Sequence, residues 1–228
     1  MMRTSRRRLL AAGGAVALGG CLGGNGQTST PANTNGPVAD APVPDDPSSL
    51  PYATMGNPDR PVVTYYGNWK CPYCAQFSTG FLGDIVSDYV EPGDIALRFR
   101  ALAYIQGEPF LGSDAPRAAR AGLAVWNVDP DTYWPFHEYV FANQPPERES
   151  WATTDKLVSF AKQAGVDDVE QVRTALDNGR YESAVRESTQ AAANAGVSGT
   201  PMLVIDGETV NPLGKPERTR SLIEALGE

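Results

Sequence analysis

The sequence predicts an α/β domain in which a helical block separates a β-α-β beginning from a closing β-hairpin and helix. Three observations predict it. A strand-like, helix-like, strand-like succession runs from Pro61 to Arg100, helical periodicity then holds from about Ser113 to Ala195, and strand patterning returns at Pro201 before a last helix near Pro216. Residues 51–228 fall in the size range of one domain able to bury a sizeable core, and they contain no internal repeat.

The elements follow in chain order from a segment that precedes the domain. Paired arginines within Arg6-Arg7-Arg8 lead an apolar run from Leu9 to Gly20 that is too short to span a bilayer as a mature helix. Residues 1–20 therefore read as a signal peptide, and the arginine pair before an Ala- and Gly-rich stretch resembles the twin-arginine type, which exports folded proteins. Leu18-Gly19-Gly20-Cys21 resembles a lipobox, so Cys21 is expected to carry lipid and anchor the chain to the membrane. From Leu22 to roughly Ser49 the composition is dominated by Gly, Asn, Gln, Thr, Ser, Pro, Ala and Asp, without an aromatic residue. Residues 21–50 are thus expected to form a flexible linker with a reach of about 30 Å.

Pro61-Val62-Val63-Thr64-Tyr65-Tyr66 is rich in β-branched and aromatic residues and predicts a buried strand. From Ala75 to Tyr89, Phe77, Phe81, Leu82, Ile85, Val86 and Tyr89 recur at helical spacing. Between the two lies Cys71-Pro72-Tyr73-Cys74, a pair of thiols at a strand-to-helix turn. Pro72 suits the first helical turn, and Cys71 then faces unsatisfied N–H groups and the positive end of the helix dipole. In Cys-X-X-Cys motifs such surroundings lower a thiol pKa from about 8.5 to between ~3.5 and ~7.5, which yields a nucleophile at neutral pH. Cys71 is the expected attacking thiol and Cys74, one turn further in, the resolving one; their redox-active disulfide would serve in place of any cofactor. Zinc binding is disfavoured because the chain has no second cysteine pair and a single histidine, His137. A purely structural disulfide is disfavoured because so small a loop barely restricts the unfolded chain.

Asp94 to Arg100 alternates like a second strand. Helices are then expected at Ala115–Trp126, Tyr133–Asn143, Thr154–Ala164, Val169–Asp177 and Tyr181–Ala195, within an insertion of about residues 108–195. Pro201 to Ile205 and Glu208 to Asn211 flank Asp206-Gly207 as a hairpin, and Pro216 to Leu226 closes the chain as a helix.

This order, with Gly67-Asn68-Trp69-Lys70-Cys71-Pro72-Tyr73-Cys74 and Val197-Ser198-Gly199-Thr200-Pro201 as its two motifs, resembles the DsbA-like proteins of the thioredoxin fold over about Pro51 to Leu226. The resemblance implies a thioredoxin fold with a helical insertion and a cis proline at Pro201 beside the redox pair. It implies further that Thr200 and Pro201 present backbone groups to an extended substrate segment. Trp69 is either a rim of the substrate groove or plain core. Two departures bear on the chemistry. Several members carry histidine where this chain has Tyr73, and many carry a buried acid, a proton acceptor for the resolving thiol, where it has Tyr65. Lys70 either supplies compensating positive charge beside Cys71 or is simply solvated.

Without the four arginines of residues 1–20, the 19 basic residues fall to 15 against 27 acidic, a net charge of −12. That disfavours nucleic acid as a partner. With only four lysines, it resembles the acidic, lysine-poor surfaces of halophilic archaea and implies salt-dependent stability. The expected function is thiol-disulfide exchange with cysteines of exported proteins on the extracytoplasmic side of the membrane, in the oxidising direction, with a separate membrane partner reoxidising the pair. A reductase, or a non-catalytic lipoprotein that binds a peptide or a metal on the same fold, are the alternatives.

Overall fold

The computed structural model describes residues 36–227, so the expected signal segment, the lipobox-like run and Cys21 lie outside the described residues. A mixed sheet forms the centre. Its strands are β1 (Thr54–Met55), β2 (Val62–Gly67), β3 (Ala96–Ala101), β6 (Met202–Ile205) and β7 (Glu208–Val210), in the order β1-β3-β2-β6-β7. β2 runs parallel to β3 with Val63 opposite Leu97 and Tyr65 opposite Phe99, and β6 lies antiparallel on its other side with Leu203 opposite Tyr65. Because side chains alternate across a strand, Val63, Tyr65, Leu97, Phe99, Leu203 and Ile205 enter the main core, while Tyr66, Met202 and Val204 line the other face.

The helical connections cover both faces. α1 (Pro72–Ser78) and α2 (Phe81–Ile85) follow β2, and the insertion supplies α3 (Ala115–Val128), α4 (Tyr133–Asn143), α5 (Thr154–Ala164), α6 (Val169–Asp177) and α7 (Glu182–Asn194); α8 (Pro216–Glu224) closes the chain. α4 buries Trp134, Phe136, His137, Val140 and Phe141, so it is apolar around most of its circumference, as a helix enclosed by its neighbours must be. It packs against α1, the helix that carries the cysteine pair. Local chemistry sets the helix ends: Thr153 caps α5 by accepting from the Lys156 N–H at 3.2 Å, Gly165 ends it in the left-handed region (φ 94°), and the Asp168 carboxylate caps α6.

Several features differ from the sequence expectations. The helix expected from Ala75 to Tyr89 is broken after Ser78, where a Cβ on Gly80 would fall 2.9 Å from the Gln76 carbonyl oxygen, and it ends in a wider turn over Val86–Val90. A small hairpin, β4 (Tyr104–Ile105) and β5 (Glu108–Pro109), turns on Gln106 (φ 53°) and Gly107 (φ 87°), the paired positive φ of a type I′ turn. The linker expected to continue to residue 50 lies against the domain from residue 36 onward. Val38 and Ala41 are buried in the core, the Ala39 N–H donates to the Glu138 carboxylate at 3.0 Å, and the Trp126 indole N–H donates to the Leu50 carbonyl at 2.9 Å. Two small apolar side chains and these polar ties hold the segment where its composition alone shows no core.

Candidate active site

β2 ends at Gly67, and Asn68 turns the chain towards α1. Its side-chain amide donates to the carbonyls of Leu102 (2.9 Å) and Phe110 (3.0 Å), and its side-chain oxygen accepts from the Lys70 N–H (2.9 Å). The turn is therefore fixed before the first cysteine. Cys71 is the N-cap of α1 and Pro72 occupies its first turn, as the missing N–H of proline permits.

Both cysteines carry free thiols, and Cys71 is 4% exposed against 0% for Cys74. The Cys71 sulfur lies nearer solvent than its partner but is enclosed rather than open, under Phe141 and Leu111. Its thiol is lowered to about 6. The Cys74 thiol contributes most by donating to it, and this outweighs the opposing effect of burial, with help from the backbone N–H groups of Cys74 and Tyr73. Burial pushes the Cys74 thiol well up, and the neighbouring Cys71 adds to that; the Asn68 N–H, 3.4 Å from its sulfur, acts in the opposite sense. One reactive thiolate and one reluctant thiol result, a division set by burial and by the direction of the hydrogen bond between them.

Thr200 and Pro201 stand opposite the pair. The bond between them is cis, and the Thr200 carbonyl oxygen lies 3.6 Å from the Cys71 sulfur. Tyr73 is 64% exposed and projects beside them, so that Tyr73, Gln76, Thr200, Pro201, Asn211 and Leu213 surround an open groove of about 330 Å³.

Two flanking residues are corrected. Trp69 is core, not rim: it is 1% exposed and packs on Phe136 at 5.0 Å and Phe141 at 5.8 Å between ring centroids. Lys70 is neither solvated nor aimed at Cys71. It is buried, with its ammonium on the Asp114 carboxylate and 2.9 Å from the Glu149 carbonyl oxygen, so its charge is neutralised within the fold. The sequence reading also passed over Asn68, Gln144, whose amide donates to the Cys71 carbonyl at 3.3 Å, and Phe141. Asn68 had a signal in its turn-forming chemistry; Gln144 and Phe141 arrive from the insertion, far along the chain, and had none.

Residues 49–225 match the profile of a thioredoxin family, described as "Thioredoxin". A probable disulfide bond formation protein D of Bacillus cereus is 30% identical over 161 residues, covering 70% of this chain and 72% of its own. The chain belongs to the DsbA-like thioredoxin-fold family. Disulfide bond formation protein D of Bacillus subtilis is 27% identical over 179 residues, with 78% of each chain covered. The crystal structure of oxidised BdbD from Bacillus subtilis superimposes with a TM-score of 0.69 at 25% identity, over 82% of this chain and 97% of that one. Chlamydia trachomatis DsbA, at 19% identity, a TM-score of 0.64 and coverage of 77% and 92%, shares the fold. The DsbA-like domain here is thus a thiol-disulfide oxidoreductase with a five-stranded mixed sheet and a helical insertion.

Proposed function

We propose that the domain works as an oxidase of protein thiols through Cys71 and Cys74. The observation that supports this most directly is the pairing of a Cys71 thiol held at about 6 with a buried Cys74 whose thiol is pushed well up. A stabilised Cys71 thiolate is a good leaving group and favours the reduced form of the couple, which is the property of a disulfide donor.

In the forward reaction a substrate thiolate attacks the Cys71 sulfur of the closed pair. A substrate–Cys71 disulfide forms, the Cys71–Cys74 bond breaks, and its electron pair stays on Cys74. A second substrate thiolate then attacks the substrate sulfur of that mixed disulfide, expelling Cys71 as thiolate and leaving the substrate oxidised by two electrons. Of the two protons the substrate thiols give up, one resides on Cys74, whose burial favours the neutral thiol, and the other goes to solvent. Thr200 and Pro201 are assigned the role of aligning the extended substrate beside Cys71, and Tyr73 that of an apolar contact at the groove. Trp69 takes no part in substrate contact.

The paired arginines, the lipobox around Cys21 and the acidic composition support export by the twin-arginine type of signal, a lipid anchor on the extracytoplasmic side and a saline environment. Each turnover leaves Cys71 and Cys74 reduced, so an outside oxidant must close the pair again, a role assigned to a membrane redox partner.

Equilibration of the purified domain against defined thiol buffers in molar salt tests the direction. A potential of about −120 to −180 mV supports the oxidase, whereas one near −270 mV would assign the domain to disulfide reduction. Cys71→Ser is expected to abolish turnover and Cys74→Ser to accumulate mixed disulfides; full activity in Cys71→Ser would overturn the assignment.

A further inference from the structure

Polar contacts converge on Asn68, which is 2% exposed and stands where β2 gives way to the cysteine turn. Its carboxamide nitrogen donates to the Leu102 and Phe110 carbonyls at 2.9 and 3.0 Å, its side-chain oxygen accepts from the Lys70 N–H at 2.9 Å, and its carbonyl accepts from the Cys71 N–H at 2.9 Å. The remaining contact is of another kind. The Asn68 backbone N–H donates to the Cys74 sulfur, with 3.4 Å between nitrogen and sulfur.

Closing the turn needs less than this. The Cys71 N–H on the Asn68 carbonyl and the Lys70 N–H on the Asn68 side-chain oxygen already close it, as asparagine does at many turns. The two bonds from the carboxamide nitrogen reach 34 and 42 residues along the chain, to carbonyls on either side of the β4–β5 hairpin. They clamp the residue whose N–H points at the resolving sulfur. Cys74 has no exposure, so water does not solvate the charge that gathers on its sulfur when the disulfide opens. Among the described residues, the bond from Asn68 is the one hydrogen bond that reaches this sulfur from outside the pair; the Tyr65 hydroxyl on β2 is engaged with the Ser78 Oγ at 3.2 Å. A backbone N–H fixed in advance stabilises a developing charge without having to reorient during the reaction.

We propose that Asn68 governs how fast the Cys71–Cys74 disulfide opens, its backbone N–H stabilising the departing Cys74 sulfur and its carboxamide holding that N–H in line. The N–H touches the reacting atom, and the carboxamide is a positioning group that acts through it. The inference rests on the exchange chemistry of the pair and holds for either direction of electron flow.

The test is the rate at which dithiothreitol reduces the disulfide in the full domain, at a temperature where each variant is folded. One dithiothreitol thiolate bonds to the Cys71 sulfur, and the Cys71–Cys74 bond breaks with its electron pair going to Cys74. The second thiolate closes the reagent's own disulfide and expels Cys71 as thiolate, while Cys74 takes one of the two reagent protons and the other goes to solvent. Asn68→Ala removes every side-chain bond and is expected to slow reduction about tenfold, as a weakened hydrogen bond to a developing charge requires. Asn68→Ser keeps an oxygen able to accept from the Lys70 N–H but loses both carbonyl ties, and is expected to fall between, about threefold slower than wild type. A role confined to stability lowers the melting temperature of both variants and leaves the rate at the wild-type value, and that result overturns the proposal. Amide hydrogen exchange supplies a second measurement. The Asn68 amide is expected to be protected in the reduced wild-type domain and to exchange at least about tenfold faster in Cys74→Ala, which takes the acceptor away, while the Lys70 amide keeps its protection. Equal protection of Asn68 in the two proteins overturns the proposal even if Asn68→Ala does not fold. Dithiothreitol reduces the disulfide whether or not the domain oxidises proteins, so failure of the oxidase assignment and failure of this proposal are separable.

Discussion

Replacing Asp114 by alanine strands the charge next to the redox turn. Lys70 is 1% exposed and its ammonium has two partners, the Asp114 carboxylate and the Glu149 carbonyl; the other Asp114 oxygen accepts from the Ala152 N–H at 2.9 Å. Removing one member of a buried ion pair costs about 3–5 kcal/mol, mostly the penalty of leaving the other charge without a counterion. In a domain of this size each kcal/mol corresponds to roughly 2–4 °C, so the melting temperature is expected to fall by about 6–20 °C. Urea unfolding of the oxidised protein in molar salt measures the loss. The double variant Lys70→Met/Asp114→Leu removes both charges and is expected to recover most of it, because an apolar pair of similar volume is commonly no worse than a buried ion pair. Acid adds a second signature. Burial alone would raise the Asp114 carboxyl, but the Lys70 ammonium and the Ala152 N–H outweigh it and hold the carboxyl below its usual value. The stabilisation is therefore present above about pH 4, the range of an unfolded carboxylate, and is lost as pH falls through the lower folded value. A loss under about 1 kcal/mol in Asp114→Ala, or a double variant as unstable as the two singles combined, would refute the reasoning.

Two further outcomes follow from contacts at the same end of the fold. Cys74→Ala removes the largest contribution holding the Cys71 thiol at about 6, so the midpoint of its alkylation rate against pH is expected to move up towards the ordinary thiol value of about 8.5; a midpoint still near 6 would assign the lowering to the backbone instead. Gly122→Ala would place a Cβ 2.8 Å from the Trp69 ring, and overpacking of that kind is expected to cost about 1–3 kcal/mol in urea unfolding, with no loss if the ring can shift freely.

The elements legible in the sequence are those whose ends are written locally. Thr153, Gly165 and Asp168 bound α5 and α6 where the residue types predict, and the strand at Val62–Gly67 announces itself by its β-branched and aromatic run. The cysteine turn and Thr200-Pro201 were legible as motifs, although their 3.6 Å approach is a property of the folded chain. What the sequence hid was decided over long separations. Lys70 is buried because Asp114 arrives 44 residues later, and Trp69 is core because Phe136 and Phe141 of the insertion close over it. β1 is two residues long and has no period to detect, and the packing of residues 36–50 depends on Glu138 and Trp126, which nothing near them in sequence reveals.

Tyr73 is the single large apolar side chain that stands exposed among the described residues. Covering one such ring yields about 1.5–3 kcal/mol, short of the roughly 4 kcal/mol that even a millimolar complex requires. In the proposed oxidase reaction that ring alone would not hold a client protein, so the sulfur–sulfur bond to Cys71 would have to do so together with whatever the Thr200–Pro201 groove contributes. The duration of each encounter would then be set by how fast the mixed disulfide is resolved.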